Sequence, residues 1–229
     1  MKITFLGHSG FRIEIGDQVL LIDPWLRGNP TFDEDRFDEA IEGATHILVS
    51  HAHDDHASNA VEIAKKTGAP VVTIFDLAGL MGGDAVEGIG LNKGGTVSLG
   101  NVEVTMVHAI HSSTFEHEGR QVSPGNEVGF MIAGEGKTIY FAGDTDVMSD
   151  MALFQDLHAP QIGILPIGGR FTMDAKRAAY ACNRFFEFET IIPCHYGTFE
   201  LLAQSADEFV GAVEKGAVKP LEVMGSVEL

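Results

Sequence analysis

The sequence predicts one domain of mixed α and β structure, with two sheets packed face to face and helices outside. Three observations predict it. The chain has 229 residues, enough for one sizeable domain spanning 1–229 and short for two. Hydrophobic residues make up 45%, so a core can form without disulfide staples. The apolar segments come as strands first, then as alternating strands and helices, in two roughly similar halves. No short-period repeat or low-complexity segment interrupts them.

Ile3 and Phe5 alternate with polar neighbours, as do Phe11, Ile13 and Ile15, and Val19 to Ile22 is continuously apolar. Gly7, Gly10 and Gly16-Asp17 read as turns. Residues 24–44 read as irregular, with Pro24, Gly28, Pro30 and an acidic stretch from Asp33 to Glu39. Residues 47–49 form a strand that ends at Ser50. The spacing of Val61 and Ala64 predicts a helix over 57–66, stopped by Gly68. Val71 to Ile74 is the next strand, and Gly79 to Gly95 is a glycine-rich stretch. Strands are expected at 96–99, 102–109, 127–133 and 137–142. Helices at 147–157, 175–186 and 206–215 then alternate with strands at 162–167, 191–193 and 221–223.

Fifteen basic and 33 acidic residues give a net charge of −18. Phosphate polymers and anionic lipids are bound by clustered Lys and Arg, so this charge argues against a nucleic-acid partner. Cys182 and Cys194 form no Cys-x-x-Cys pair and no disulfide framework. No apolar leader precedes the first strand, and no apolar run is long enough to span a bilayer. We therefore expect a cytoplasmic protein with no membrane partner. Assembly into a homo-oligomer is left open.

The chemistry concentrates in His51-Ala52-His53-Asp54-Asp55-His56, between an apolar strand and a helix. On an extended stretch residues i and i+2 point the same way, so His51 and His53 can grip one ion. Asp55 and His56 come as the chain turns into its helix and aim at a neighbouring point. Imidazole and carboxylate suit zinc and its neighbours in the first transition row. A processing tag would be terminal and would lack the flanking strand and helix. Six residues cannot close two metal shells, so more ligands are needed. Asp144, in Gly143-Asp144-Thr145, and His195, in Pro193-Cys194-His195-Tyr196-Gly197, both follow apolar strands. Alone, each would read as a turn or structural residue; beside the cluster they read as ligands. A further one is expected in Val107 to Ser113, which carries His108 and His111. Cys194 points away from its neighbour His195 on an extended chain and reads as a small buried residue.

In their order His51, His53, Asp55, His56, His111, Asp144 and His195 resemble the metallo-β-lactamase superfamily, across most of the chain. A narrower resemblance lies in Gly7-His8-Ser9, Leu21-Ile22-Asp23-Pro24, Asn29-Pro30, His111-Ser112-Ser113, Gly143-Asp144-Thr145, Leu165 to Gly169 with Phe171-Thr172-Met173, and His195 to Thr198. These motifs are similar to a microbial family of metal-dependent hydrolases of unassigned substrate, akin to the L-ascorbate-6-phosphate lactonase branch. Asp174 stands where that family has Gly, which can alter a helix start. Arg170 stands where it often has His, which bears on substrate preference. The resemblance implies an α+β fold, the αββα sandwich of two mixed sheets with helices outside. It selects His111 over His108.

The resemblance further implies one metal on His51, His53 and His111, a second on Asp55, His56 and His195, and Asp144 bridging them. Two divalent ions are expected, zinc first, with manganese or iron(II) as alternatives. The implied activity is hydrolysis of a small ester-like, lactone or phosphodiester substrate by a metal-bridging hydroxide. Asp55 is the catalytic candidate, taking the proton and returning it to the leaving group. Asp23 can fix the tautomer of a ligating imidazole or serve as a turn residue. His8 can orient substrate or cap a turn. Arg170 and Thr172 can hold an anionic group of the substrate, although Arg170 also suits a solvated surface.

Two other classes share these residues: an iron-dependent redox enzyme on the same fold, and a non-catalytic metal-binding module. Flavin-linked redox members have Glu where His53 stands and carry an extra domain, and silent members lose ligands. Among hydrolases, RNA-processing members need an inserted domain or basic RNA-binding segments. Secreted antibiotic-degrading members carry an export signal. Glyoxalase-like thioesterases read Gly-His-Thr where this chain reads Ile110-His111-Ser112-Ser113.

Overall fold

The apolar runs assemble edge to edge, and the order of their pairing decides where the functional residues meet. The computed structural model describes residues 1–82, 86–117 and 119–229. Among these, the strands form two seven-stranded sheets and a separate hairpin. The first sheet holds β1 (Lys2–Gly7), β2 (Gly10–Ile15), β3 (Gln18–Ile22), β4 (His46–Leu48), β5 (Val71–Ile74) and β6 (Gly88–Leu91) in that order. β1 to β3 are antiparallel, and β3 to β6 run parallel. The second sheet holds β7 (Thr96–Leu99) and β8 (Val102–His108). The chain then leaves for the hairpin of β9 (Phe115–His117) and β10 (Arg120–Val122). It returns as β11 (Val128–Gly134), β12 (Lys137–Phe141), β13 (Ile162–Pro166), β14 (Thr190–Cys194) and β15 (Ala217–Val218). β12 to β15 are parallel. The last strand, β16 (Ser226–Glu228), goes back to the first sheet beside β1.

Parallel neighbours need crossovers, and the helices supply most of them. α1 (Phe37–Ile41), α2 (Asp54–Ala57), α3 (Ala60–Thr67) and α4 (Phe75–Gly82) belong to the first half; α5 (Asp150–His158), α6 (Ala175–Phe185) and α7 (Asp207–Ala212) cover the second sheet. The strands of that sheet are buried on both faces. Phe130, Ile132, Ile139, Phe141, Ile162, Ile164 and Ile192 face the first sheet. Their neighbours Met131, Tyr140, Leu165 and Ile191 face the outer helices, against Met151, Phe154, Ala178 and Phe209. Period-two alternation with both faces apolar gives the continuous hydrophobic runs seen in the sequence. Each such side chain contributes about 1.5–3 kcal/mol on burial. The architecture is the expected αββα sandwich. Among the described residues no helix is long and apolar enough to cross a membrane.

Several local expectations are corrected. The segment 24–44 contains a 3-10 turn at Glu34–Arg36 and α1. The helix expected from 57 is split: Ala57 ends α2 and α3 begins at Ala60, after Asn59, whose Oδ1 accepts from the backbone of Leu26 and Arg27 at 2.7 and 2.9 Å instead of capping the helix. Its stop at left-handed Gly68 is as expected. The glycine-rich stretch holds α4 and β6, while Gly83 to Ala85 within it lie outside the described residues. Residues 221–223 form no strand. Leu221 and Val223 pack on the core edge, and the chain re-pairs with β1 through Gly225 and Met224 instead. Asp174 starts α6 as its N-cap, accepting from the Arg177 backbone at 2.8 Å, a contact of about 1 kcal/mol.

Candidate metal centre

Open α/β sheets carry their sites at the carboxyl ends of parallel strands, and so does this one. Asp23 follows β3, and Val49 to His51 follow β4. Asp144 follows β12 after Phe141, and His195 follows β14. His8 leaves the end of β1. His8, Asp23 and His195 all adopt left-handed backbone, at φ +55, +43 and +56. Non-glycine residues there are uncommon and concentrate at functional sites.

The seven expected ligands converge. His51 Nε2 and His53 Nδ1 are 3.0 Å apart, and with His111 their donor atoms lie within 4.8 Å of one another. A second group is formed by Asp55, His56 and His195, joined by His8. Asp144 stands between the groups. Its Oδ2 is 3.5 Å from His111 Nε2, 3.4 Å from His56 Nε2 and 3.0 Å from His195 Nε2. Its other oxygen is buried with no hydrogen-bond partner, and so is His56 Nε2, which faces the centre. Unsatisfied buried donors and acceptors cost free energy, and a cation among such lone pairs removes that cost. The donor set of imidazoles with two carboxylates, Asp55 and Asp144, fits a divalent transition metal.

Asp23 is completely buried and organises ligands of both groups. Its Oδ2 accepts from His56 Nδ1 at 2.7 Å and from the Ser50 hydroxyl at 2.5 Å; Oδ1 accepts the Ser50 backbone N–H at 2.7 Å. With its O–H donated in that hydrogen bond to Asp23, the Ser50 oxygen accepts from His51 Nδ1, 2.9 Å away. Both histidines therefore carry a proton on Nδ1, and Nε2 is the nitrogen each turns toward the centre. Ser50 had no place in the sequence reading; its one signal was its position immediately before the histidine run.

Charge follows the same geometry. Burial holds His51 well below its usual range, with nearby histidines adding to the effect, and burial also lowers His53 and His111. Their imidazoles are neutral at neutral pH and ready to ligate. Burial also pushes His56 down, but the carboxylates of Asp144, Asp23 and Asp55 outweigh it and hold His56 well above its usual range. Burial pushes Asp55 and Asp144 up. His56 and the hydrogen bond from His8 reverse this for Asp55, and His195 and His56 for Asp144, so both lie below the usual carboxylate range. Burial is the main reason that His8 is pulled down to about 4.

The remaining candidates separate. His111 is nearly buried at the centre, its backbone N–H held by Glu127 at 2.7 Å. His108 points away and pairs with Asp150 at 3.1 Å. Arg170 and Thr172 line a shallow neighbouring pocket of about 310 Å³ with Ile110, Phe171 and Arg177. No ligand residue lines that pocket, although Ile110 and Asp146 in its wall lie one and two residues from His111 and Asp144. Cys194 is buried and is not among the candidate ligand groups. Thr198 and Glu127 are contacts that the sequence does not reveal: Thr198 lies 190 residues from His8, and Glu127 reaches His111 from across the hairpin of β9 and β10.

Comparison with known proteins gives the family and the fold. A family model described as a beta-lactamase superfamily domain matches residues 2–195. A metal-dependent hydrolase of Dinoroseobacter shibae is 56% identical, covering 100% of both chains. The structure of Igni18, a metallo hydrolase from Ignicoccus hospitalis, superimposes with a TM-score of 0.85 at 31% identity, covering 100% of this chain and 98% of that one. CmlA, a diiron beta-hydroxylase from Streptomyces venezuelae, shares the fold with a TM-score of 0.71 at 16% identity, over 100% of this chain and 54% of its own.

Proposed function

The chain belongs to the metallo-β-lactamase superfamily and is a metal-dependent hydrolase; from that premise we propose that its single domain, residues 1–229, holds two divalent ions and cleaves a small ester-like, lactone or phosphodiester substrate. The observation that carries this reading is Asp144, whose one oxygen faces His111 on one side and His56 and His195 on the other. One ion would be held by His51, His53 and His111, and the other by Asp55, His56 and His195, with Asp144 between them. Zinc suits this donor set first, and manganese or iron(II) next. Such ions, when bound, acidify water toward neutral pH and polarise the attacked carbonyl or phosphoryl oxygen.

The protein groups do the positioning and proton handling. Asp23 and Ser50 keep His51 and His56 in the ligating tautomer. Asp55, one of whose oxygens is engaged by His8, has Oδ1 left to take a proton and return it to the leaving group. Arg170 offers a planar guanidinium for an anionic substrate group, with Thr172 beside it. A net charge of −18 disfavours any extended phosphate polymer, so the substrate is small.

The test loads metal-free protein with zinc, manganese or iron(II) and assays lactones, chromogenic phosphodiesters, thioesters and single-stranded RNA and DNA at low salt. Small-molecule turnover that chelation abolishes supports the reading. Salt-sensitive RNA or DNA cleavage without small-molecule turnover overturns it. Retention of iron alone, with oxygen consumption and no hydrolysis, favours redox chemistry on this fold.

A further inference from the structure

In the steps above His8 does no more than occupy one oxygen of Asp55, yet it is among the most constrained side chains at the centre. It is 1% exposed. It leaves β1 in the left-handed conformation, immediately after Gly7 at φ +94, which turns the chain inward. Its ring is packed edge-on against Trp25 at 5.3 Å and Phe199 at 5.5 Å, and it lies 4.1 Å from the ring of His195. Trp25 and Phe199 stack on each other at 5.7 Å, so this wall is itself braced.

Both nitrogens are engaged. Nε2 is 3.0 Å from Asp55 Oδ2, and Nδ1 is 2.7 Å from Thr198 Oγ1. A ligating carboxylate is ionised and can only accept, so Nε2 must carry the proton. With the proton on Nε2, Nδ1 is an acceptor, and the Thr198 hydroxyl donates to it at 2.7 Å in preference to the Tyr196 carbonyl, its other acceptor within reach, at 3.2 Å. The result is a one-way chain, from Thr198 O–H to His8, and from His8 N–H to Asp55.

The target oxygen is the one that faces the centre. Asp55 Oδ2 lies 3.9 Å from His56 Nε2 and 4.0 Å from His195 Nε2. A carboxylate oxygen has two lone pairs. His8 takes one, which fixes the rotation of the carboxylate and leaves the other facing where His56 and His195 aim theirs. Ligating carboxylates are commonly held in this way, and loss of the holding group weakens metal binding.

We infer that His8 is a positioning residue: held by Thr198 and the Trp25–Phe199 wall, it orients the Asp55 carboxylate and so selectively tightens metal binding on the Asp55–His56–His195 side. This rests on reading Asp55 as a ligand. It separates His8 from Asp23, whose hydrogen bonds reach ligands of both groups.

The experiment is zinc titration of the chelator-stripped full chain against a chromophoric competitor, with thermal melts as the folding control. His8→Phe keeps the ring and removes the donor; His8→Gln restores a donor near Nε2; Thr198→Val frees Nδ1. In a His53→Ala background, which leaves the Asp55 side intact, His8→Phe should weaken zinc about 10–100-fold. In a His195→Ala background it should change nothing. His8→Gln should recover most of the affinity, and Thr198→Val should show a smaller loss of the same selectivity. Wild-type zinc binding by His8→Phe and Thr198→Val overturns the inference, and so does equal weakening in both backgrounds with Gln no better than Phe. Absence of zinc binding by the wild-type protein sinks the metal reading itself, and this inference with it.

Discussion

The backbone N–H of His195 donates to the carbonyl of His8 at 2.7 Å. His8 closes β1 of the first sheet, and His195 closes β14 of the second. This one hydrogen bond therefore joins the two sheets at the point where their ligands meet. His51, His53, Asp55 and His56 come from the first half of the chain; His111, Asp144 and His195 come from the second. Neither sheet can assemble the centre alone, so its integrity depends on the core packed between them.

The carboxylate between the groups should be the least replaceable. Asp144→Ala is expected to remove most bound metal and abolish turnover, because its Oδ2 faces ligands of both groups. Asp23→Ala touches no ion. It frees the tautomers of His51 and His56 and should weaken metal binding or activity about 10–100-fold. Metal analysis and turnover of both variants check this. Near-normal metal content in Asp144→Ala would falsify the bridging assignment.

His111→Ala should lose metal, whereas His108→Ala should keep it. The two lie three residues apart, but one faces Asp144 and the other pairs with Asp150 on the surface. An exposed pair of that kind contributes about 0–1 kcal/mol, so His108→Ala should also melt close to the wild type. Equal metal content in both variants would show that His111 is no ligand.

Much of this centre was legible because its ligands are local in sequence. His51 to His56 occupy six residues, and the strand before them and helix after them fix their directions. β11 and β12 were legible because burial on both faces makes them uniformly apolar. α4 and β6 were obscured by Gly79, Gly82, Gly88 and Gly90, whose lack of side chains erases the periodic pattern. Of the supports, Asp23 and His8 stood out in the sequence, but their partners did not. Ser50 is 27 residues from Asp23, and Thr198 is 190 residues from His8, so only the folded chain pairs them. Arg170 and Thr172 face a neighbouring pocket, a placement that an exposed loop sequence does not encode.

The two cysteines should be inert in the folded protein. Burial pushes the Cys182 thiol up to about 12. Burial, and then the nearby Asp144 carboxylate, holds Cys194 well above the usual thiol range. The thiolate is the nucleophile, and at pH 8 only ~10⁻⁴ of Cys182 is ionised. Native protein should resist an aromatic disulfide reagent, while guanidinium-unfolded protein should release two equivalents. Rapid labelling of one thiol under native conditions would show that its surroundings open.

The last prediction concerns Gly168, which bears no ligand. A Cβ placed there would lie 2.0 Å from the backbone carbonyl oxygen of His195. A backbone atom cannot swing aside as a side-chain tip can, so Gly168→Ala must move either its own loop or His195. Forced overpacking of this kind costs about 1–3 kcal/mol. The displacement falls on a ligand whose Nε2 sits 3.0 Å from Asp144, so metal affinity should fall together with the melting temperature. Gly211, inside α7, is the control. A Cβ there meets nothing within 4 Å, and its helical setting suits Ala. Gly211→Ala should raise stability by about 0.4–1 kcal/mol through the unfolded chain, with metal binding unchanged. Melting curves and zinc titrations of the two variants check both effects. A Gly168→Ala protein that melted and bound zinc like the wild type would mean that the close approach of this loop to His195 does not hold the ligand in place.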